Sequence, residues 1–539
     1  MKFRRLFFVV IIFFGLNLNA QTQISPYLFG QNAWMPDSIG VNKFWGQLDN
    51  MWGFIDNANI KLIRIGGIAF DENPITNYQI IKLIDSVRSV GAEPLIQVAY
   101  DNGNYSSTQA AELVNYVNNT SSKNVLYWSI SNEPVLGHDL SANQISIYLK
   151  EFASAMKQED NTIKIVGPDL AWYNESILDK LIGGSRDVTG TDAYGNYYID
   201  IVSFHAYPFD GGQSKADIIG ITNSYLEPAI TDLVSKMQNA NTINNRTGSD
   251  TLRWAVTEFN VNYENPATNN ESGLGANSFI NGQLWAEMFG LAMEYNAEFV
   301  CPWSIHESSG SGSDYDLGFI NGSDGNYNPR PSYYHEQLLA TNTRDYFAKY
   351  TSNITDVKCF GNYNADSISV VILNMSNQEY NYNLYHNNTD VGAESLQINT
   401  NALELQGNYS SQISANCSQL LVFNNQGDIR RKYTYCIGDN GPSVEYFTPD
   451  NTMIQKKRMV KNDILIYPNP TKGEFNLQTV SDERIHAVSV VNSNGQLVIN
   501  KSIEERNRIS LNLLDKPKGI YFIRIITSKK AITSKLILE

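Results

Sequence analysis

Two glutamates lie at the ends of apolar segments, where a carboxylate is unusual. Glu133 closes Val-Leu-Tyr-Trp-Ser-Ile-Ser-Asn-Glu-Pro (125–134), and Glu258 lies near the end of Leu-Arg-Trp-Ala-Val-Thr-Glu-Phe-Asn (252–260). A charged group is costly to bury, so one at the tip of a hydrophobic strand indicates a function. Two such acids can cleave a glycosidic bond: one protonates the leaving oxygen, and the other attacks the anomeric carbon as a carboxylate. Either glutamate alone could instead cap a helix.

The elements that would position these acids are predicted strands and helices that alternate over residues 24–340. The predicted strands are residues 24–29, 60–66, 94–99, 124–131, 163–167, 200–206, 253–258 and 298–304. Most are continuous apolar runs, as strands covered on both faces require. Helix-patterned segments lie between them, at residues 78–90, 108–118, 141–158, 176–182, 218–238 and 279–295.

This alternation predicts an α/β fold, a (β/α)8 TIM barrel, whose active site lies at the C-terminal ends of its strands. A doubly wound open sheet is the alternative, but no Gly-x-Gly-x-x-Gly turn follows the first predicted strand. In the barrel Glu133 ends the fourth strand and Glu258 the seventh. Because all the strands end at one rim, the two acids are expected to meet there.

These motifs resemble those of the clan A retaining glycoside hydrolases, which carry an acid/base at the fourth strand, commonly after Asn, and a nucleophile at the seventh. The resemblance implies that Glu133 is the acid/base and Glu258 the nucleophile. It also implies that Asn132 hydrogen-bonds the sugar 2-hydroxyl, an interaction that strengthens in the transition state. The resemblance covers residues 24–340 in architecture and identifies the clan better than the family.

Three further side chains are expected beside the acids. Arg64 ends the second predicted strand, where a guanidinium would keep the nucleophile ionised; a structural ion pair at the rim is the alternative. His205 and Tyr207, in Ser-Phe-His-Ala-Tyr-Pro, lie on the same side of the sixth strand. Tyr207 could donate to Glu258, and His205 could position Glu133 or the sugar. A histidine with a purely structural role is the alternative.

The resemblance also implies an aromatic platform beneath the cleaved sugar at Trp303, in Cys-Pro-Trp-Ser-Ile-His at the end of the eighth strand. The C–H face of a sugar can stack on indole, and the alternative is a core tryptophan. Weaker candidates at the rim are Trp34, Tyr100 and His306. Asp71 and Glu72 follow the second strand and could touch substrate, but a solvated loop is the preferred interpretation.

The net charge and the cysteine content disfavour some classes of partner and cofactor. A formal charge of −15 disfavours nucleic acid, whose phosphates would be repelled. The four cysteines, Cys301, Cys359, Cys417 and Cys436, include no Cys-x-x-Cys pair, so a zinc site is not expected. Cys301 lies in an apolar strand and is predicted to be a buried thiol, whereas the other three could form a bridge of unspecified connectivity. No metal or organic cofactor is implied, because two carboxylates can carry both the proton transfer and the covalent step.

The N-terminal segment is predicted to be a cleaved signal peptide. Lys2, Arg4 and Arg5 precede the apolar run 6–16, and Ala20 offers a small residue at the cut site. An uncleaved anchor is the alternative, but the run is short for a bilayer. No later segment is long and apolar enough to span one. We therefore expect an exported protein.

The C-terminal segment is predicted to be an independent β-sandwich, with alternating strands joined by Asn-Gly and Pro-rich turns. Its motifs, from Tyr467-Pro-Asn-Pro to Gly519-Ile-Tyr, resemble the type IX secretion system sorting domain of Bacteroidetes. The resemblance implies an export address that takes part in neither catalysis nor the barrel core, and it implies secreted or cell-surface protein as well as contact with the secretion machinery. The structural alternative is an unrelated immunoglobulin-like module.

The predicted organisation comprises a leader, a catalytic barrel, an accessory β-sandwich, a polar linker and a sorting domain, at residues 1–20, 21–342, 343–425, 426–462 and 463–539. The function expected is a retaining β-glycosidase or endo-β-glycanase that acts on an oligo- or polysaccharide. One alternative is a non-catalytic surface protein that binds glycans on the same barrel. Another is a lyase or esterase, although no Gly-x-Ser-x-Gly elbow follows a predicted strand.

Overall fold

The structure is a computed structural model of the 539-residue chain. It describes residues 21–33, 48–72, 76–100, 105–266, 269–307, 316–321, 327–386, 396–400, 408–448, 453–458, 464–479, 484–528 and 531–539. The predicted leader and Trp34 lie outside the described residues.

Eight parallel strands, paired in chain order, form the first sheet. Strands β1–β8 are Gly30–Asn32, Leu62–Ile65, Glu93–Val98, Tyr127–Ile130, Lys164–Leu170, Ile201–Ala206, Arg253–Phe259 and Phe299–Pro302. The sheet curls back on itself, because Phe29 forms a parallel bridge with Val300, whose N–H donates to the Leu28 carbonyl at 2.9 Å. A separate apolar cluster drawn from β2–β8 fills the interior, as a barrel requires. Its members are Leu62, Leu95, Tyr127, Val166, Ile201, Ala255, Phe299 and Cys301. The predicted barrel fold is confirmed.

The first strand begins later than predicted. The segment predicted as strand 24–29 is tied to the accessory domain at its start: Gln23, the residue before it, bridges Tyr346, and the Ile24 N–H donates to the Asp345 carbonyl at 2.8 Å. The barrel strand begins only at Gly30, where a Cβ would lie 2.6 Å from Cys301 Sγ. The apolar run therefore predicted that this segment is buried, but it did not indicate which sheet the segment pairs with.

Helices follow the strands, close to the predicted positions. Helices α1–α10 are Trp52–Ala58, Ile68–Glu72, Asn77–Ser89, Ser107–Val114, Ala142–Glu159, Glu175–Leu181, Lys215–Ile221, Glu227–Ile243, Phe279–Glu294 and Pro331–Asn342. Two π-helical segments, Asn115–Thr120 and Thr222–Leu226, extend α4 and join α7 to α8, and single 3-10 turns lie at Leu48–Asn50 and Gly248–Asp250. Ser141 caps α5 through a reciprocal capping box with Gln144. None of the helices in the described ranges has the length and apolarity to cross a bilayer.

The accessory domain is a two-layer sandwich packed on α9, and its described strands are antiparallel except for one parallel pair, Tyr380–Tyr385 with Leu396–Asn399. After the hairpin strands Ile320–Asn321 and Asn328–Pro329 (β9 and β10), strands β11–β21 are Tyr346–Ala348, Thr351–Ser352, Val357–Tyr363, Ser367–Asn374, Tyr380–Tyr385, Leu396–Asn399, Asn408–Ile413, Cys417–Asn424, Ile429–Cys436, Ser443–Phe447 and Met453–Arg458. They form sheets ordered β11-β13-β14-β18-β19-β20-β21 and β12-β16-β15-β17. Helix α9 is buried on nearly every side because it lies between this sandwich and the barrel. A Cβ on its Gly290 would touch Phe360 at 2.8 Å.

Residues 426–462 were predicted as a linker, but the part that the structure describes, residues 426–448 and 453–458, completes the seven-stranded sheet with β19, β20 and β21. In β19 the buried side chains Ile429, Tyr433 and Tyr435 alternate with more exposed ones, a period-two pattern that the polar composition concealed. Cys417 and Cys436 form a disulfide between β18 and β19. Cys301 is a buried free thiol, as predicted.

The C-terminal sandwich has its own core but also contacts the barrel. Strands β22–β28 are Ile464–Tyr467, Glu474–Thr479, Ile485–Asn492, Leu497–Arg506, Arg508–Asn512, Gly519–Thr527 and Ala531–Leu538. Leu465 and Tyr467 belong to the barrel's apolar cluster, and a Cβ on Gly53 of α1 would lie 2.6 Å from the Tyr467 ring. The Gln478 amide donates to the Asn50 carbonyl at 2.5 Å. The expectation that this segment shares no core with the barrel is therefore wrong.

Candidate active site

Glu133 is held at the end of β4 in an unusual backbone conformation. Ser131, Glu133 and, near the end of β5, Asp169 have positive φ angles of 67°, 47° and 48°. Residues other than glycine seldom adopt this region, and such residues cluster at functional sites. The Glu133 N–H donates to the Asp169 carbonyl at 3.0 Å, and the Gly137 N–H donates to the Glu133 carbonyl at 2.7 Å. These bonds fix the backbone that presents Glu133.

Glu133 and Glu258 lie on either side of one histidine. His205 Nδ1 lies 2.8 Å from Glu133 Oε1 and 3.5 Å from Glu258 Oε2. One carboxylate oxygen of each glutamate and one nitrogen of His205 all lie within 4.8 Å of one another. The His205 side chain is fully buried, and 18% of the Glu133 side chain is exposed. The strand-end glutamates, remote in sequence, therefore share one site.

Both oxygens of Glu258 accept hydrogen bonds. Arg64 Nη1 donates to Oε1 at 2.9 Å, and the Tyr207 hydroxyl donates to Oε2 at 2.8 Å. The Glu258 side chain is 8% exposed. The contact between Tyr207 and Glu258 is the one anticipated from the sequence. Glu258 is thus oriented by two donors and compensated by a cation, as a nucleophilic carboxylate needs.

Arg64 is a fully buried hub of the site. Its Nη1 also donates to Asn32 Oδ1 at 2.9 Å, its Nη2 donates to Asn132 Oδ1 at 2.7 Å, and its Nη2 lies 3.5 Å from Asp169 Oδ2. Burial lowers the pKa of Arg64, but the negative charges of Glu258 and Asp169 raise it by more than burial lowers it. The net shift is upward, so Arg64 stays positively charged. Asn132 Oδ1 accepts from Arg64, so the side-chain NH2 group of Asn132 remains to donate to another group.

Glu133 and His205 form a proton-sharing pair. Burial raises the pKa of Glu133, but the hydrogen bond and charge of His205, together with Arg64, lower it more, so the net shift is downward. Burial lowers the pKa of His205, yet Glu258 and Glu133 outweigh burial and Arg64 and raise it above 6.5. An additional proton bound by this pair therefore resides preferentially on the imidazole in the free protein.

Trp303 lies at the end of β8 and is half-buried. Its N–H donates to the Phe259 carbonyl at 2.9 Å, and its indole Nε1 donates to Glu307 Oε1 at 2.8 Å. Burial raises the pKa of Glu307 to about 7. The Asn260 amide donates to the Trp303 carbonyl at 2.6 Å. These anchors hold the indole at the rim rather than deep in the core.

Of the weaker candidates, His306 is buried with Nδ1 3.1 Å from the Ile320 carbonyl, and the Tyr100 ring stacks on Tyr148 with centroids 4.4 Å apart. Glu72 belongs to α2, but its side chain lies outside the described residues.

Among the candidate residues, Asp71 differs most from its predicted environment. It was expected in a solvated loop, yet only 2% of it is exposed. Asp71 Oδ2 accepts from the Asn132 N–H at 3.0 Å, and Oδ1 accepts from the Gln97 amide at 2.7 Å. His138 Nε2 lies 3.3 Å from Oδ2. Asp71 therefore holds the backbone that leads into Glu133.

The sequence analysis did not predict Asp169 as a residue of the site. Its buried Oδ1 accepts from the hydroxyls of Ser203 and Thr257, the latter at 2.7 Å, while Oδ2 faces Arg64. The signal was present, since this acid lies in the apolar run Ile-Val-Gly-Pro-Asp-Leu. The same reasoning that selected Glu133 and Glu258 applies to it.

The donor set of Glu133, His205 and Glu258 also has the spacing of metal ligands within the described residues. The guanidinium of Arg64 already supplies a buried positive charge 2.9 Å from Glu258. His205 Nδ1 is engaged with Glu133 rather than free to coordinate. The arrangement suits proton transfer and nucleophilic attack better than metal binding.

Residues 465–539 match the family model described as secretion system C-terminal sorting domain. The C-terminal segment is a type IX sorting domain. It directs the chain through type IX secretion to the cell surface or the medium. No curated protein sequence matches the chain.

Solved structures share the fold. A family 51 α-L-arabinofuranosidase from Bifidobacterium longum aligns with a TM-score of 0.52 and 13% identity, over 74% of this chain and 96% of that one. A glycoside hydrolase family 44 endoglucanase from Clostridium acetobutylicum aligns with a TM-score of 0.50 and 13% identity, over 75% of this chain and 98% of that one. At this identity the likeness establishes the barrel and its accessory sandwich, and no more.

Proposed function

We propose that the chain is a secreted retaining glycoside hydrolase that cleaves β-glycosidic bonds of a polysaccharide. The observation that carries this proposal is the carboxylate pair: oxygens of Glu133 and Glu258 lie within 4.8 Å. Retaining enzymes hold their carboxyl groups ~5–5.5 Å apart, whereas inverting ones leave ~6.5–9.5 Å for a water molecule. The separation therefore favours double displacement.

In the first step Glu258 attacks the anomeric carbon, and the glycosidic C–O bond breaks. The leaving oxygen takes a proton from Glu133, which draws it from His205 through their 2.8 Å contact, so this step leaves Glu133 as a carboxylate and His205 as a neutral imidazole. The attacking carboxylate becomes a neutral glycosyl ester, so Arg64 and Tyr207 are then partly released from its charge. Asn132 donates to the sugar 2-hydroxyl, and Trp303 supports the cleaved sugar.

In the second step Glu133 acts as a base. It takes a proton from water, whose oxygen attacks the anomeric carbon and breaks the bond to Glu258. The sugar leaves with its original anomeric configuration, and both glutamates return to their starting states. A non-catalytic glycan-binding protein would not need a buried guanidinium and a tyrosine directed at Glu258, so these contacts favour the enzyme.

A glycan panel tests the proposal. We expect the purified chain to release reducing ends from at least one of carboxymethylcellulose, mixed-linkage β-glucan, xyloglucan, arabinoxylan or pectic galactan. The Glu258→Gln variant, prepared identically, should release none. Inactivity of the wild-type chain on every β-glycan would contradict the proposal.

The pH profile should reveal the role of His205. In the wild-type chain kcat/KM is expected to fall on the alkaline side at a pH above 6.5, as the pair loses its proton. In His205→Gln that proton must reside on Glu133, a weaker base, so the alkaline limb should move to lower pH. An alkaline limb that stays in place would remove His205 from the proton-transfer route.

We also propose that the sorting domain can be removed without loss of catalysis, although it packs on the barrel. Deleting residues 463–539 would uncover Gly53 and its apolar neighbours on α1, so we expect a lower melting temperature. The carboxylate site should keep its kcat, while delivery to the cell surface is lost. A truncated chain that still reaches the surface would contradict the address role, and one that folds but loses kcat would make the segment part of the enzyme.

A further inference from the structure

Trp172 lies at the rim of the barrel, in the loop after β5, and the neighbouring strand β4 leads to the proposed acid/base. Trp172 follows β5 by two residues, and 42% of it is exposed. In the described part of the chain Trp52, Trp128, Trp254 and Trp285 are buried and Trp303 is half-buried, so Trp172 is the tryptophan that most exposes its surface. Single exposed aromatics are common on protein surfaces, but one on the barrel rim that carries the candidate site is placed where a sugar can stack on it.

The loop that carries Trp172 is anchored by the two residues that follow it. The next residue, Tyr173, donates its hydroxyl to Asp232 and packs edge-on against Phe204 with centroids 5.5 Å apart. Asn174 then caps α6 by accepting from the Ile177 N–H at 3.2 Å. The backbone around Trp172 is therefore anchored, so a sugar that stacks on it has little ordering of the loop to overcome.

The position of this indole follows from the barrel. The Glu133 N–H donates to the Asp169 carbonyl at 3.0 Å. Trp172 is three residues beyond Asp169, so their Cα atoms lie within ~11 Å of each other. Strands β4 and β8 lie opposite each other in an eight-stranded barrel. A glycan whose cleaved sugar rests on Trp303 and whose leaving oxygen reaches Glu133 therefore runs toward the β4–β5 side, where Trp172 stands.

We infer that Trp172 forms a leaving-group subsite, which stacks a pyranose unit of a polysaccharide beyond the bond that is cleaved. This inference rests on the proposed function and deepens it, since a subsite on the leaving-group side requires a substrate that continues past the scissile bond. Small glycosides with a non-sugar leaving group would not use it.

Binding and rate together test the subsite. In a Glu258→Gln background, which leaves the glycan uncut, retardation in native gels containing each of the five panel glycans measures affinity. Adding Trp172→Ala should weaken binding to the best-bound glycan by about tenfold or more. Trp172→Phe should retain most of the affinity. Tyr194→Ala, which removes a 74% exposed aromatic from the turn before β6 at the other end of the barrel, should leave it unchanged.

In the otherwise wild-type chain, Trp172→Ala should lower kcat/KM on that glycan by a similar factor and leave an aryl glycoside unaffected. Equal binding by the Trp172→Ala and parent variants, or no retardation of the parent by any glycan, would overturn the subsite. Hydrolysis by wild type with no effect of Trp172→Ala would overturn the subsite and keep the enzyme. Trp172-dependent binding without hydrolysis would keep the subsite and reject the enzyme.

Discussion

Replacing Glu258 with alanine is expected to abolish turnover, by ~10⁴-fold or more, because no other carboxylate can form the covalent intermediate. Added azide or formate should restore part of the rate. Removal of the side chain leaves room beside Arg64 Nη1 and the Tyr207 hydroxyl, which both donate to Glu258 in the intact site. A small anion there meets the same two donors and can attack the anomeric carbon in place of the carboxylate.

This outcome is measured by initial rates on an activated aryl glycoside, with and without the anion. Glu264→Ala is the matched control, since it removes an exposed acid from the loop that follows the same strand. The control should keep the wild-type rate and gain nothing from azide. Undiminished activity of Glu258→Ala would remove Glu258 from the mechanism.

The Glu133→Ala variant should lose activity according to the leaving group. A natural glycan needs its leaving oxygen protonated, so its rate should fall by ~10²–10⁴-fold. An aryl glycoside with an acidic phenol needs little protonation and should lose much less in the glycosylation step. The 18% exposure of the Glu133 side chain, against 8% for Glu258, fits a group that must reach both a leaving oxygen and water.

Rates for a series of aryl glycosides test this role. A steep dependence of kcat/KM on the pKa of the departing phenol is expected in Glu133→Ala and a shallow one in wild type. Glu175→Gln, at the exposed start of α6, is the control and should follow wild type. Equal losses on all leaving groups would argue against general acid catalysis by Glu133.

Strand-end reasoning predicted the main side chains of the site. Apolar runs located the strands, and because parallel strands end at one rim, residues on β2, β4, β6 and β7 had to converge. The structure brings Arg64, Glu133, His205, Tyr207 and Glu258 together. Their chemical roles remain proposals that the variants above test.

Of the two supporting carboxylates, Asp169 carried the same signal as the glutamates, an acid in an apolar run, whereas Asp71 carried no such signal. Asp71 and Asp169 act on the site through backbone and hydroxyl groups of other strands, contacts that one segment of sequence does not reveal. The strands that replaced the predicted linker were hidden because one face of β19 is polar. The contact between the barrel and the sorting domain depends on Gly53, because a side chain at this position would block it. A glycine in the sequence does not by itself indicate such a contact.

The most direct test is to trap the intermediate. Incubation with a 2-deoxy-2-fluoro glycoside bearing a good leaving group slows the second step, so the sugar should stay on the protein. Mass spectrometry of peptides should then show one added fluorosugar on the peptide that contains Glu258, and none in Glu258→Gln. A label on any other residue, or rapid turnover of the natural glycan to the inverted anomer, would contradict the double-displacement mechanism.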